Sequence, residues 1–284
     1  MNRYVVFTAL VGGYDEIHQP EVIDERFDYV LFSNDIKDKQ VGVWHVRPFN
    51  YRNPLKTKIA RWVKTHPEQL LPEYEASLWI DSNIIIINNL VYKRFVELTS
   101  GDSLIATMKH SLRQCVYDEM FEILSCGFEH EDITLKWGKE LRKEKYPRNN
   151  GLCETGVFYR RHSDLCVQSF DKVWWSIIEQ FSRRDQFSVN YALWKCGLNW
   201  DFYICEDESV YQSKCFRHVE HKGHIPQRVK LGRSEAWLIR YYRKHPTERA
   251  RIEDMYYRIY GLRFPVIGAF FAGQYYRLKH LMFN

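Results

Sequence analysis

The segment Leu78-Trp79-Ile80-Asp81-Ser82-Asn83 closes an apolar run on a carboxylate, with a neutral amide oxygen two residues on. A nucleoside diphosphate presents adjacent anionic phosphates. A divalent cation held by one or two carboxylates plus the phosphate oxygens is the usual way to bind it. An acidic turn after a strand suits that task, because the strand fixes the backbone and the turn exposes the side chains. Asp81 and its neighbours are therefore candidates to hold metal and diphosphate; a plain turn-capping role for Asp81 stands beside that reading. Asp81 is the one anion of the motif, so a metal here needs a further ligand from elsewhere in the chain.

Four other groupings bear chemistry. Ser182-Arg183-Arg184-Asp185-Gln186-Phe187-Ser188 puts Ser182 where a helix N-cap would stand and Asp185-Gln186 in the first turn. Asp185 would serve as acid/base or charge stabiliser and Gln186 as hydrogen-bond partner to a reacting sugar, or Asp185 simply favours the helix dipole. In Gly151-Leu152-Cys153-Glu154-Thr155-Gly156-Val157, Glu154 stands before an apolar strand between glycines that permit close ligand approach, suited to sugar hydroxyls or to an ordinary loop. Arg160, Arg161 and His162 follow, to meet phosphate or to end a strand in solvent. Lys109, His110 and Arg113 lie between a strand and a helix, a phosphate or acceptor position. His218, His221 and His224 are spaced by three; on a helix two imidazoles would meet, and neutral imidazole is a Mn²⁺ ligand. Exposed surface histidines are the alternative.

These residues need elements to hold them. Tyr4 to Val11 reads as a strand ending at the Gly12-Gly13 turn, Asp28 to Phe32 as a second, and Val43 to Arg47 as a third. From Pro54 to His66 the period turns helical, with Pro54 suited to the first turn. Ser77 to Ile87, with its wholly apolar Ile84 to Ile87, reads as a central strand covered on both faces. Ser103 to Met108 and Gly156 to Tyr159 are further strands; Cys115 to Cys126, Asp164 to Gln180 and Arg184 to Lys195 are helices. The alternation predicts one open, mostly parallel α/β sheet, with ligands beyond the carboxyl ends of its strands.

The bulk numbers narrow the class. The chain has 284 residues with 45% apolar and 27% charged, ordinary for a globular α/β domain. Aromatic content is 16%, enough to supply sugar-stacking or membrane-interface rings beyond the core. The net charge is +5, yet the segment from Arg240 onward alone carries nine Lys/Arg against three Asp/Glu. The rest is near neutral, which argues against a nucleic-acid binder. Seven cysteines without a C-x-x-C pair argue against a disulfide scaffold or structural zinc and suit a reducing compartment. The N-terminal apolar run lacks a cleavage pattern and reads as a buried strand rather than a signal peptide. No stretch of 18 apolar residues offers a membrane span.

The ordered segments Thr8 to Ile17, Asp28 to Asp35, the basic helix before His66, Ser77 to Ile84, Lys109 to Glu119, Gly151 to His162 and Arg183 to Ala192 resemble a known family. It is the glycosyltransferase-like domain of plant mucilage-related hexosyltransferases and of bacterial polysaccharide-cluster proteins. The resemblance spans roughly residues 4 to 195. It implies the nucleotide-diphospho-sugar transferase fold (GT-A type): a mixed, mostly parallel sheet flanked by helices, here with a helical C-terminal extension. On that pattern Asp81 takes the metal and diphosphate motif, and Asp185-Gln186 resembles the Asp-Gln pair beside the donor sugar. The family motif has two carboxylates where this chain has Asp81 and Asn83.

The expected protein is a hexosyltransferase using a nucleoside diphosphate sugar and a saccharide or lipid-linked acceptor, in surface polysaccharide biosynthesis. Thr8, Tyr14 and Asp35 would hold the nucleoside. Lys56 or Arg61 would stabilise the leaving diphosphate, with His110 and Arg113 at its phosphate or acceptor side. Asp81, Asn83 and His221 would hold Mn²⁺ or Mg²⁺. A metal-dependent, lipid-amidase-like hydrolase and a non-catalytic saccharide-binding module are the alternatives. Residues 1–235 would form the transferase domain and 236–284 a basic, aromatic helical extension. Its interleaved rings and cations (Tyr241-Tyr242-Arg243-Lys244, Tyr275-Tyr276-Arg277) would lie on an anionic membrane or pack on the main sheet. The expected setting is the cytoplasm, including the cytoplasmic face of the inner membrane.

Overall fold

The computed structural model describes residues 4–13, 15–206, 208–221, 241–260 and 265–282. Tyr14, His224 and the expected boundary at 235/236 lie outside the described residues. The chain divides into two compact units: residues 1–116 with 147–225, and residues 117–146 with 226–284. The C-terminal segment thus shares its unit with a stretch from the middle of the chain.

The first unit is built on an eight-stranded sheet of order β3-β4-β2-β1-β5-β8-β7-β9. The strands are β1 (Tyr4–Ala9), β2 (Phe27–Phe32), β3 (Gln40–Val41), β4 (Trp44–Arg47), β5 (Ala76–Ile80), β7 (Ile105–Lys109), β8 (Cys153–Arg160) and β9 (Asp201–Phe202). β4, β2, β1 and β5 run parallel, as do β7 and β9; β8 runs antiparallel to both its neighbours, and β3 antiparallel to β4. This is the expected mixed, mostly parallel sheet flanked by helices. Its central strands are buried on both faces, which is why YVVFTA and ASLWI are nearly continuous apolar runs.

Alternate side chains go to opposite layers. Val6, Leu31, Leu78 and Tyr159 share one core with Tyr92 and Phe95 of helix α3 (Leu90–Ser100). Phe7, Phe32, Trp79 and Phe158 face the other way, where Phe158 meets Phe170 and Trp174 of helix α6 (Leu165–Gln180). Helix α1 (Lys56–Thr65) packs against α6 and β1 on that second face. Asp164 caps α6, its carboxylate accepting from the Cys166 amide at 2.7 Å.

Several expectations change. Helix α1 begins at Lys56, so Pro54 precedes it rather than standing in its first turn. The run Ser77 to Ile87 is not one strand. It breaks at Asp81, and β6 (Ile84–Ile86) pairs with β10 (Phe216–His218) in a separate antiparallel ribbon, because the Ile84 amide turns back to the Asp81 carbonyl at 2.9 Å. β8 starts at Cys153, so Glu154 lies inside the strand. Residues 184–195 are a 3₁₀ turn (Asp185–Phe187) followed by the short α7 (Val189–Lys195). Ser182 accepts from the Arg184 amide instead of capping a longer helix. Arg160 and His162 do not end in solvent. Arg160 pairs with Asp171 and donates to the Lys64 carbonyl, and the neutral His162 ring lies between Ser77 and Leu71, all within the fold.

The second unit is helical: α4 (Val116–Cys126) apart from its first residue, α5 (Glu131–Lys143), Arg249–Tyr260 and Pro265–Met282. Its aromatic residues divide. Tyr242 stacks on Phe121 at 3.9 Å and sets its single hydroxyl proton between Asp118 at 2.6 Å and Glu253 at 2.8 Å, while Arg249 pairs with Asp118 at 2.7 Å. Phe270, Phe271, Tyr275, Leu278, Leu281 and Met282 are exposed along one side of the last helix. Among the described residues, no helix is long and apolar enough to cross a membrane.

Candidate active site

β1 lies between β2 and β5, the point where strand order turns and a crevice opens beyond the carboxyl ends. β1 leads into Gly12 (φ +79°) and Gly13 (φ +63°), angles that side chains resist. Asp35, just past β2, takes the Gly12 amide on Oδ2 at 2.5 Å and so fixes this turn. A cavity of about 580 Å³ opens here, with Asp35, Asn34, Tyr51, Arg52, Asn53 and Lys56 in its wall. Tyr51 stacks on Trp62 of α1 at 4.8 Å, and Asn34 exchanges two hydrogen bonds with the Phe49 backbone. The loop that walls the cavity is thereby fastened to the helix and to β2. Asp35 and Lys56 both line this cavity. Thr8 does not: it is buried within β1, its hydroxyl has no hydrogen-bond partner among the described residues, and it is not in the cavity wall.

At the end of β5, Asp81 and Asp185 come together on two cations of α1. Arg61 and Lys64 are three residues apart and share a helix face. The Lys64 ammonium is 2.6 Å from Asp185 Oδ2 and 3.6 Å from Asp81 Oδ1; Arg61 is 3.2 Å from Asp185 Oδ1 and 3.5 Å from Asp81 Oδ1. Trp79 donates its indole N–H to Asp81 at 2.7 Å, Thr155 its hydroxyl to Asp185 at 3.0 Å, and Trp174 its N–H to the Asp185 carbonyl at 3.1 Å. Burial alone would raise the Asp185 carboxyl, but Arg61 and Lys64 outweigh it and hold the group well below the usual carboxylate range. Burial draws the Lys64 ammonium down, opposed by Asp185 and Asp81. Gln186 follows Asp185 in the same 3₁₀ turn, half-buried. At Gly156 a Cβ would stand 2.7 Å from Ile84 Cδ1 and 3.6 Å from Asp81 Oδ2, so the glycine lets β8 approach the Asp81 turn. Lys64, Thr155 and Trp79 are site residues that the motif reading missed; the Arg61-to-Lys64 spacing on a helix was the available signal.

Asn83 and the histidines do meet, on a strand end rather than a helix. The Asn83 amide nitrogen is 3.0 Å from His218 Nε2, 3.5 Å from His221 Nε2 and 3.0 Å from the Val219 carbonyl. Asp15, within the Thr8 to Ile17 segment but not among the candidate site residues, takes His221 Nδ1 at 2.8 Å and the Ser82 hydroxyl at 3.1 Å. A carboxylate on Nδ1 fixes the proton there and leaves Nε2 as the lone-pair nitrogen, the arrangement common in metal-binding histidines. That donor chemistry fits a divalent cation. Among the described residues, however, no three His, Cys, Asp or Glu side chains are grouped as metal ligands, and it is the Asn83 amide nitrogen that faces the two histidines.

Glu154 is not in the wall of the cavity beside Asp35. Its two oxygens accept the Val210 amide at 2.8 Å and the Ser111 amide at 3.3 Å, and burial raises its carboxyl. His110 is buried, with Nδ1 accepting from the Leu112 and Arg113 amides at 3.1 Å. His110 and Arg113 line a second, separate cavity.

A crevice walled by Asp35 and Lys56, and a carboxylate pair clamped by two cations, thus stand on a mixed, mostly parallel α/β sheet. The chain belongs to the TOD1/MUCI70 family of glycosyltransferase-like domains, whose profile matches residues 1–221. By that membership it carries a glycosyltransferase-like domain. Among solved structures it is similar to the apo bifunctional glycosyltransferase WbbM, at 12% identity and a TM-score of 0.43, covering 71% of this chain and 38% of that one. It is also similar to the galactosyltransferase LgtC in complex with donor and acceptor sugar analogs (10% identity, TM-score 0.38, 69% and 72% covered). A third is a glycosyltransferase involved in glycosylation of the major capsid of PBCV-1 (14% identity, TM-score 0.31, 56% and 64% covered). No curated protein sequence matches the chain.

Proposed function

We propose that the protein transfers a hexose from a nucleoside diphosphate sugar to a saccharide or lipid-linked acceptor, in surface polysaccharide synthesis at the cytoplasmic face of a membrane. The observation that carries this reading is the convergence of Asp81 and Asp185, from the ends of distant segments, on Arg61 and Lys64 beside the switch-point crevice. The nucleoside would occupy the cavity walled by Asp35 and Lys56, and the diphosphate would lie toward Arg61 and Asp81.

In the transfer, an acceptor oxygen bonds to the anomeric carbon as the bond to the diphosphate breaks. The electron pair leaves with the diphosphate, and the hydroxyl proton passes to that diphosphate or to solvent. Negative charge grows on the leaving group, where Lys56 and Arg61 would stabilise it. Positive charge grows on the sugar ring. Asp185, held ionised by its two cations, is a poor proton acceptor and a good fixed anion, so its role would be to stabilise that ring. Gln186 would bond a sugar hydroxyl. Mn²⁺ or Mg²⁺, held by Asp81, Asn83 and His221, would supply further neutralisation of the diphosphate.

The test is a thermal-shift and donor-hydrolysis screen with UDP-, GDP- and TDP-hexoses, with Mn²⁺ and again with EDTA. A donor at about 100 times its dissociation constant adds roughly 2.7 kcal/mol of stability. The wild type should melt higher with one donor class and Asp81→Ala should not. A flat response of the wild type to every donor would remove the reading.

A further inference from the structure

The second cavity, about 260 Å³, opens at the carboxyl end of β7, on the sheet edge shared with β1 and β5. Its walls come from the end of β7 and the residues after it, and from Glu206, Glu208, Ser209 and Gln212. Glu154 ties the two together, one carboxylate oxygen on the Ser111 amide and the other on the Val210 amide. Adjacent residues of β8 point to opposite faces. Thr155 therefore reaches Asp185 while its neighbour Glu154 braces this second cleft. The cleft and the acid pair are built from consecutive residues of one strand.

Ser209 lines the cleft, is 3% exposed, and its hydroxyl has no hydrogen-bond partner among the described residues. A buried hydroxyl left unpaired has lost its water without gaining a partner, and such a group in a folded protein calls for an explanation. Around it stand Gln114 and Gln212, the cations Lys109 and Arg113 and the carboxylates Glu206 and Glu208, with Leu112 as the single apolar wall residue among the described ones. Amides, a hydroxyl and charges of both signs can donate to and accept from a ring carrying several hydroxyl groups, and one apolar side chain suits its C–H face. An acyl chain would need an apolar channel, which this lining does not provide. Drug-sized ligands fill pockets of about 300–1,000 Å³, so the smaller volume here matches one sugar ring.

We propose that this cleft is the acceptor subsite and binds one pyranose ring of a saccharide, with the Ser209 hydroxyl and the Gln212 amide bonding ring hydroxyls. The proposal rests on the transferase reading above and assigns that reaction a saccharide rather than a lipid at its receiving end. Saturation-transfer NMR with the methyl glycosides of glucose, galactose and mannose tests it on the full chain. At least one glycoside should bind the wild type. Ser209→Ala and Gln212→Ala should each weaken it by about threefold to tenfold, the worth of one neutral hydrogen bond. Ser209→Ala carries a second signature. Removing an unpaired hydroxyl should leave the melting temperature unchanged or raise it, whereas a structural hydroxyl would lower it. The proposal is overturned if no glycoside binds the wild type, if the variants bind as tightly, or if Ser209→Ala melts lower. Thermal shifts with nucleotide sugars on the same samples separate the two levels. A donor response without glycoside binding removes the subsite alone, and glycoside binding without any donor response removes the transferase reading.

Discussion

Replacing Lys64 with Met keeps the apolar stem and deletes the charge. The wild-type ammonium is wholly buried, 2.6 Å from Asp185 and 3.6 Å from Asp81. In Lys64→Met the Asp185 carboxylate, itself 4% exposed, retains Arg61 at 3.2 Å and the Thr155 hydroxyl at 3.0 Å. Breaking a buried pair by removing one partner typically costs about 3–5 kcal/mol. Arg61 still compensates the stranded anion, so the expected cost lies at the lower end, about 3 kcal/mol. Lys64→Met combined with Asp185→Asn strands neither charge and should be no less stable than Lys64→Met alone, a coupling of about 2 kcal/mol in a double-mutant cycle. Urea unfolding at pH 7 followed by circular dichroism measures all four proteins. The pH dependence gives an independent check. A carboxylate depressed in the folded state stabilises it fully above its unfolded pKa, about 3.9, and the contribution is lost as pH falls toward the folded value. Acid unfolding of Lys64→Met should therefore begin at higher pH than in the wild type. Additive single variants, or a loss below about 1 kcal/mol for Lys64→Met, would refute the clamp.

His162 is 1% exposed, with Nε2 directed at the Leu71 carbonyl and Nδ1 at the Ser77 hydroxyl, and burial pushes its pKa down to about 4. Because the folded value lies below the unfolded one, its neutral form is fully compatible with the fold above about pH 6.5. Stability should fall by up to about 3 kcal/mol as pH drops to about 4. His162→Gln should flatten that limb in denaturant titrations, and an unchanged slope would contradict the assignment. Phe270, Phe271, Tyr275, Leu278, Leu281 and Met282 lie exposed on a helix within the basic C-terminal segment. They should carry the protein to the top of a flotation gradient with anionic liposomes, and Phe270→Ser/Phe271→Ser should leave it at the bottom. Equal flotation of both proteins, or none of the wild type, would count against membrane contact.

Much of this organisation is written locally in the chain. Continuous apolar runs ending in turn residues specify β1, β2 and β5, because strands buried on both faces need apolar side chains at every position. The same logic places Asp35 and Asp81 at strand ends, where a sheet of this kind binds ligands. Helix α3 was equally legible in principle: Val91, Tyr92, Phe95, Leu98 and Thr99 recur at helical spacing and are all buried. Other features depend on partners remote in sequence, which periodicity does not encode. Ile84 to Ile86 look like a sheet strand, yet they pair with Phe216 to His218, because the Asp81 turn redirects the backbone out of the main sheet. Glu154 and Thr155 look alike as polar residues beside a glycine. The antiparallel run of β8 and its alternation send one to brace a cleft and the other to Asp185. LWIDSN on its own specifies one acid at the end of one strand. Tertiary folding decides that Arg61, Lys64 and Asp185 stand around it, since the energy of a buried ion pair depends on which distant chain segments meet out of water.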